Sequence, residues 1–174
     1  MKHLPLLLLA SLLYTACPKE QASTSSMTAD PAATMTSFAI FIADTEGAVP
    51  PSDARVEASE AAGSLLLVEA PALMVDRPPT GWRRWARIGD ATARDRIGRA
   101  DWLLSDAAEG KESSRVSLTL SAAGSKDPDI RLKLQSSGVA VHDIVGETAV
   151  VTVPKGAWGA VLKMEEVTSV TPET

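Results

Sequence analysis

The sequence predicts an α+β protein, and three features of residues 113–174 carry that prediction. SRVSLTLS (114–121) alternates, with Val116, Leu118 and Leu120 on one face, the period of a half-buried strand. DPDIRLKLQSSG (127–138) sets Ile130 and Leu134 at helical spacing, with Asp127-Pro128 at its start and Gly138 as its stop. VAVHDIV (139–145) and TAVVTV (148–153) flank the turn Gly146-Glu147 as a hairpin. After Pro154, PKGAWGAVLKME predicts a second helix, with Ala157, Val161 and Met164 on one face and Trp158 and Leu162 beside them, and VTSVTP (167–172) predicts a last strand. The order strand, helix, strand, strand, helix, strand is the ferredoxin-like βαββαβ arrangement. Two right-handed crossovers then lay both helices on one face of a four-stranded antiparallel sheet and leave the other face open.

The N-terminus reads MKHLPLLLLASLLYTAC. Lys2 supplies a positive start, and residues 4–13 form an apolar run too short for a permanent membrane helix, which needs about 20 residues. Residues 1–16 are therefore expected to be a cleaved secretion signal. Cys17 is the only cysteine, so no intrachain disulfide is possible. Thr15 and Ala16 before it resemble the bacterial lipobox, although Tyr14 stands three before the cysteine where Leu is usual. That resemblance implies acylation of Cys17 and anchoring in the cell envelope. By the sorting rule of such lipoproteins, Pro18 points to the outer membrane. The alternative is an ordinary cleaved signal followed by a free thiol. Residues 17–36, rich in Ser, Thr, Ala and Pro, read as a flexible tether.

Residues 37–110 form an N-terminal region of uncertain order. SFAIFIA (37–43) is strand-like, and ARVEASEAAG (54–63) is a short helix or disordered. SLLLVEAPALMV (64–75) is two extended runs split by Pro71. The best helix lies near 91–108, where Ile97, Ala100, Leu104 and Ala107 share a face, Asp90 caps the start and Gly110 closes the end, with Gly98 as a weak point. No internal repeat is evident.

The formal charge is −5, and loss of residues 1–16 removes one Lys, leaving 16 basic against 22 acidic residues, about −6. That argues against nucleic acid as the main partner. One stretch departs from this balance. From Arg77 to Arg99 there are seven arginines against two aspartates, and Trp82 and Trp85 lie three apart. Trp82, Arg83, Arg84, Trp85 and Arg87 suit a membrane- or partner-facing surface, with indole at an interface and guanidinium on phosphate or carboxylate. The alternative is that the tryptophans pack inward and the arginines are a solvated face. Beyond the signal, His142 is the sole histidine, and it has no nucleophile motif beside it. No metal site, cofactor motif or catalytic set is expected, and the protein is expected not to be an enzyme.

The run SGVAVHDIVGETAVVTVPKGAWGAVLKMEEVTSVTPE resembles the prosegment domains of subtilisin-like serine proteases, the inhibitor I9 type, at Gly138, residues 148–153, Pro154, Leu162, Val167, Val170 and Glu173. The likeness spans about a third of the chain. It implies an open sheet face that packs on two surface helices of a protease, and a C-terminal tail laid in the protease cleft. With the domain at the end of the sequence, it is expected not to be the prosegment of its own protease, and a free tail would suit inhibition in trans. The partner-binding residues are then Val167, Thr168, Ser169, Val170, Thr171, Pro172, Glu173 and Thr174, with Pro172 lacking one donor. The expected partners are the membrane, through the lipidated cysteine, and a secreted subtilisin-like protease or another envelope protein. The alternative is a non-inhibitory structural or adaptor lipoprotein.

Overall fold

The computed structural model describes residues 35–173. The expected signal at 1–16, Cys17, the expected tether up to residue 34, and Thr174 lie outside the described residues; of the tether expected over 17–36, Thr36 instead begins the first strand. The protein is α+β, with two four-stranded antiparallel sheets and short helices. The first sheet is built from β1 (Thr36–Ala43), β2 (Arg55–Glu60), β3 (Leu65–Pro71) and β4 (Trp82–Gly89), in the order β2-β3-β1-β4. Helix α1 (Ala72–Asp76) connects β3 to β4, and α2 (Ala91–Ile97) and α3 (Asp101–Ala108) lead into the second half. There β5 (Ser113–Leu120), α4 (Ile130–Ser136), β6 (Ala140–Val145), β7 (Thr148–Pro154), α5 (Trp158–Val161) and β8 (Val167–Pro172) follow, and the sheet order is β6-β7-β5-β8.

Residues 37–110, expected to be of uncertain order, thus form a complete sheet with three helices. Three local expectations change. ARVEASE is neither helix nor disordered: it is edge strand β2, stabilised by pairing with β3 from Arg55↔Glu69 to Glu60↔Leu65. The run after Pro71 is helical, because Pro71 ends β3 and α1 turns back over the sheet. The single helix expected near 91–108 is two. Asp90 caps α2 by accepting the Ala93 N–H, and Gly98, at φ 61°, breaks the run before α3.

The two sheets repeat each other. Pairing from Thr36↔Pro71 to Ile42↔Leu65 in the first is matched by Ser113↔Pro154 to Thr119↔Thr148 in the second. The second strand of each sheet carries an extra residue at the same register position, Glu57 between Val56 and Ala58, and His142 between Val141 and Asp143. Ser37 and Ser114, both buried, hold equivalent places in β1 and β5. Few residue identities announce this repeat: Ser37 and Ser114, Val56 and Val141, Val68 and Val151, and Pro71 and Pro154 coincide, while the faces otherwise carry different side chains.

Those faces decide what is core. In the first sheet Ala39, Phe41, Leu66, Val68 and Trp82 pack under α1 on one side. On the other side Phe38, Ile40, Leu65, Leu67 and Trp85 pack with Leu103 and Leu104 of α3, in a core continuous with Val116, Leu118, Val151, Leu134 and Trp158 of the second half. Trp102 meets Trp158 edge to face at 5.7 Å. Arg96 ties the halves by donating from Nη1 to the carbonyls of Leu162 and Met164.

Candidate functional site

In the second sheet α4, α5 and the core lie against one face only. The opposite face is a set of residues aligned by register in three rows across the strands. Val145, Thr148, Thr119 and Ser169 form one row, and Asp143, Val150, Ser117 and Thr171 the next. Ala140, Thr152 and Arg115 form the third, which Glu173 completes through its N–H to the Arg115 carbonyl at 3.3 Å. Every one of these twelve residues is exposed or half-buried. The equivalent positions in β1 of the first sheet are Phe38 and Ile40, in the core, and Ile42, half-buried against it. The same backbone therefore presents a greasy, permanently covered face in one sheet and a hydroxyl-lined, open one in the other.

Alternation in β5 and β7 produces this chemistry directly, since every second residue points outward and those residues are Arg, Ser, Thr and Val. Hydroxyls on the face bond one another: Ser169 Oγ donates to Thr119 Oγ1 at 2.9 Å. His142 Nε2 lies 2.8 Å from Thr152 Oγ1, so the bulge brings the histidine onto the open face in exposed surroundings. At the β8 side, the Glu173 carboxylate accepts from Arg115 Nε at 3.0 Å and from Ser117 Oγ at 2.9 Å. The Ser117 hydroxyl and the Arg115 guanidinium hold the Glu173 carboxyl below its ordinary value.

The sheet edges are guarded. α2 lies along β8 and α5 against β4, where a side chain at Gly159 would stand 3.4 Å from the Arg87 carbonyl. At the β6 edge, Asp143 Oδ1 accepts the Ile144 N–H at 2.8 Å and Arg131 donates to the Val141 carbonyl at 3.3 Å.

The sequence-predicted residues fall as follows. Trp82 and Trp85 are 6% and 8% exposed and point to opposite sides of β4, into the two separate cores. A membrane- or partner-facing role for both indoles is thereby corrected: their odd spacing on a strand cannot give one surface. The arginines are dispersed as well. Arg84 and Arg87 both donate to Asp76 Oδ1, at 3.3 and 2.6 Å, and Arg84 also donates to the Val75 carbonyl. Arg83 lies on the other side of the strand, 3.8 Å from Asp44. Arg94 binds Glu57 across to β2. In the tail, 167–172 is β8 itself, with Val167 and Val170 in the core, so these two are not an extended free segment. Thr168 donates to the Thr119 carbonyl, Ser169 and Thr171 lie on the open face, and Glu173 is clamped there. Cys17 and Thr174 lie outside the described residues. Among the described residues no helix is long and apolar enough to cross a membrane, and no group of His, Cys, Asp and Glu is placed to hold a metal ion.

Sequence reasoning foresaw an open sheet face but named none of its central residues. The signal was available in the outward positions of SRVSLTLS and TAVVTV, where polar and β-branched residues alternate with the core. No family model matches the chain, and neither a curated protein nor a solved structure matches it.

Proposed function

We propose that this is a lipid-anchored protein of the bacterial cell envelope, attached through acylated Cys17, whose second half binds a partner protein on the open face of its second sheet. The observation that carries the docking reading is the contrast between the sheets: one is covered on both faces, while the other leaves uncovered three rows made mostly of Ser, Thr and charged side chains, with Val145, Val150 and Ala140 among them. Strand order β6-β7-β5-β8, with helices α4 and α5 in the two crossovers, supports reading residues 113–172 as a ferredoxin-like unit of the prosegment kind. The resemblance names a subtilisin-type protease as the partner class. Polar rather than greasy chemistry on the face fits a partner that binds and leaves, since such interfaces are about as polar as ordinary surface.

A second reading, binding without inhibition, is favoured by one specific observation: β8 lies within the sheet and Glu173 is fastened to Arg115 and Ser117. An inhibitory tail would have to leave these contacts. In this reading the protein is not an enzyme, and the face serves as an adaptor surface.

The test uses the full chain, with subtilisin as the probe. Saturable binding that is lost in Thr119→Arg/Thr148→Arg supports the face as the docking surface; binding accompanied by competitive inhibition selects the first reading, and binding without inhibition the second. Failure to bind subtilisin removes the protease partner. Mass spectrometry of the native protein tests the anchor: a diacylated cysteine at the new N-terminus supports it, and an unmodified thiol or a retained Met1 refutes it.

A further inference from the structure

The Glu173 clamp sits on the very face to which the docking role is assigned, and the inference drawn from it rests on that assignment. Three contacts define the clamp: Arg115 Nε to Oε2, Ser117 Oγ to Oε1, and the Glu173 N–H to the Arg115 carbonyl. The donors come from outward positions two apart on β5, so their spacing is fixed by the strand rather than by a flexible loop. A guanidinium N–H and a hydroxyl converging on separate oxygens of one carboxylate make a charge-assisted, two-point recognition geometry. The Arg115 side chain is 60% exposed and that of Glu173 29%, so the pair is open to exchange with a group from outside. Glu173 lies just past the end of β8, and among the described residues these contacts hold it to β5.

We infer that Arg115 and Ser117 form a carboxylate-binding subsite on the open face, and that Glu173 fills it as an internal competitor for an acidic side chain of the partner. Displacement of Glu173 has two consequences. The partner gains a fixed anchor at the β8 side of the face, and the chain at the end of β8 is released from the sheet. The subsite thereby couples docking to exposure of the tail. A ligand that must expel Glu173 regains the lost contacts only if it supplies a carboxylate in its place, which adds selectivity to a face otherwise lined largely by hydroxyls.

The test is a titration of the full chain with the blocked pentapeptide Ac-Ala-Ala-Glu-Ala-Ala-NH2, read from the Arg115 Nε–Hε resonance, with the Gln-containing peptide as control. In Glu173→Ala the acidic peptide shifts the resonance saturably and the Gln peptide does not. The unmodified chain needs roughly fivefold more peptide, the scale of an exposed ion pair. Arg115→Gln in the Glu173→Ala background abolishes binding of the acidic peptide, followed on the peptide's own resonances. Equal response to the two peptides, or equal affinity with and without Glu173, overturns the inference. Because the readout needs no natural partner, loss of subtilisin binding with an intact Arg115 response refutes the docking proposal while leaving the subsite in place.

Discussion

The turn between β2 and β3 yields a stability prediction whose sign the backbone geometry decides. Ala61 and Ala62 sit at φ 52° and 56°, in the left-handed region, followed by Gly63 at φ 87°. The Ser64 hydroxyl and N–H both donate to the Ala61 carbonyl, at 2.7 and 3.1 Å, which holds the turn closed. An L-residue with a Cβ costs about 1–2 kcal/mol in that region. Replacing Ala62 by Gly removes this cost but adds about 0.4–1 kcal/mol of unfolded-chain entropy to be lost on folding. The balance is a stabilisation of about 0.5–1 kcal/mol. For a folded region of this size it raises Tm by roughly 2–5 °C. Ala61→Asn/Ala62→Gly installs the residues that this turn geometry favours and raises Tm further. Calorimetric unfolding of the full chain is the assay. A lower Tm for Ala62→Gly would mean that the entropy cost dominates and that the alanines are not held at positive φ.

Three further outcomes follow from the side-chain geometry. Lys133 bridges Asp127 and Glu166 at 2.7 Å each, which depresses both carboxyls below their ordinary 3.8 and 4.5 and raises the lysine. With Glu173 depressed as well, the unfolded chain binds more protons than the native one in acid, so this stability is present above about pH 4.5 and is lost as pH falls through the depressed values. Urea midpoints are therefore flat between pH 6 and 8 as far as these groups go and drop below pH 4, and Lys133→Met flattens the drop. At the β6 edge, Asp143→Ala/Arg131→Ala uncaps the Ile144 N–H and the Val141 carbonyl, so sedimentation shows concentration-dependent self-association absent from the unmodified chain.

How much of this was legible in the sequence depended on whether alternation survived. β5 and β7 alternate without interruption, and the two-residue turn Gly146-Glu147 joins β6 to β7 as a hairpin, so the strands of the second sheet could be read off directly. β4 could not. Its pairing with β1 skips at Trp85 and again at Ile88, so Trp85 and Ala86 share one side of the strand, and WRRWARIG loses the period of two. β2 reads as helix or coil because it is an edge strand with mostly exposed, charged residues and little core signal of its own. The helix split at Gly98 illustrates a third cause: the apolar spacing runs on through Ala100, Leu104 and Ala107, while a single positive-φ glycine ends one axis and starts another. The arginine-rich segment was visible as a charge anomaly. Its meaning was not, because the partners that absorb it, Asp76, Glu57 and the Leu162 and Met164 carbonyls, are remote in sequence from it or placed by turns that no local pattern reveals.

The proposed docking face is tested most directly by photo-crosslinking in cells that produce the full chain. A photoreactive residue is placed at Thr148, Val150 or Thr171 on the open face, or at Leu132 on the exposed side of α4. The account predicts a common adduct protein from all three sheet positions and none from Leu132. Adducts confined to Leu132, or their absence from every sheet position, would contradict it.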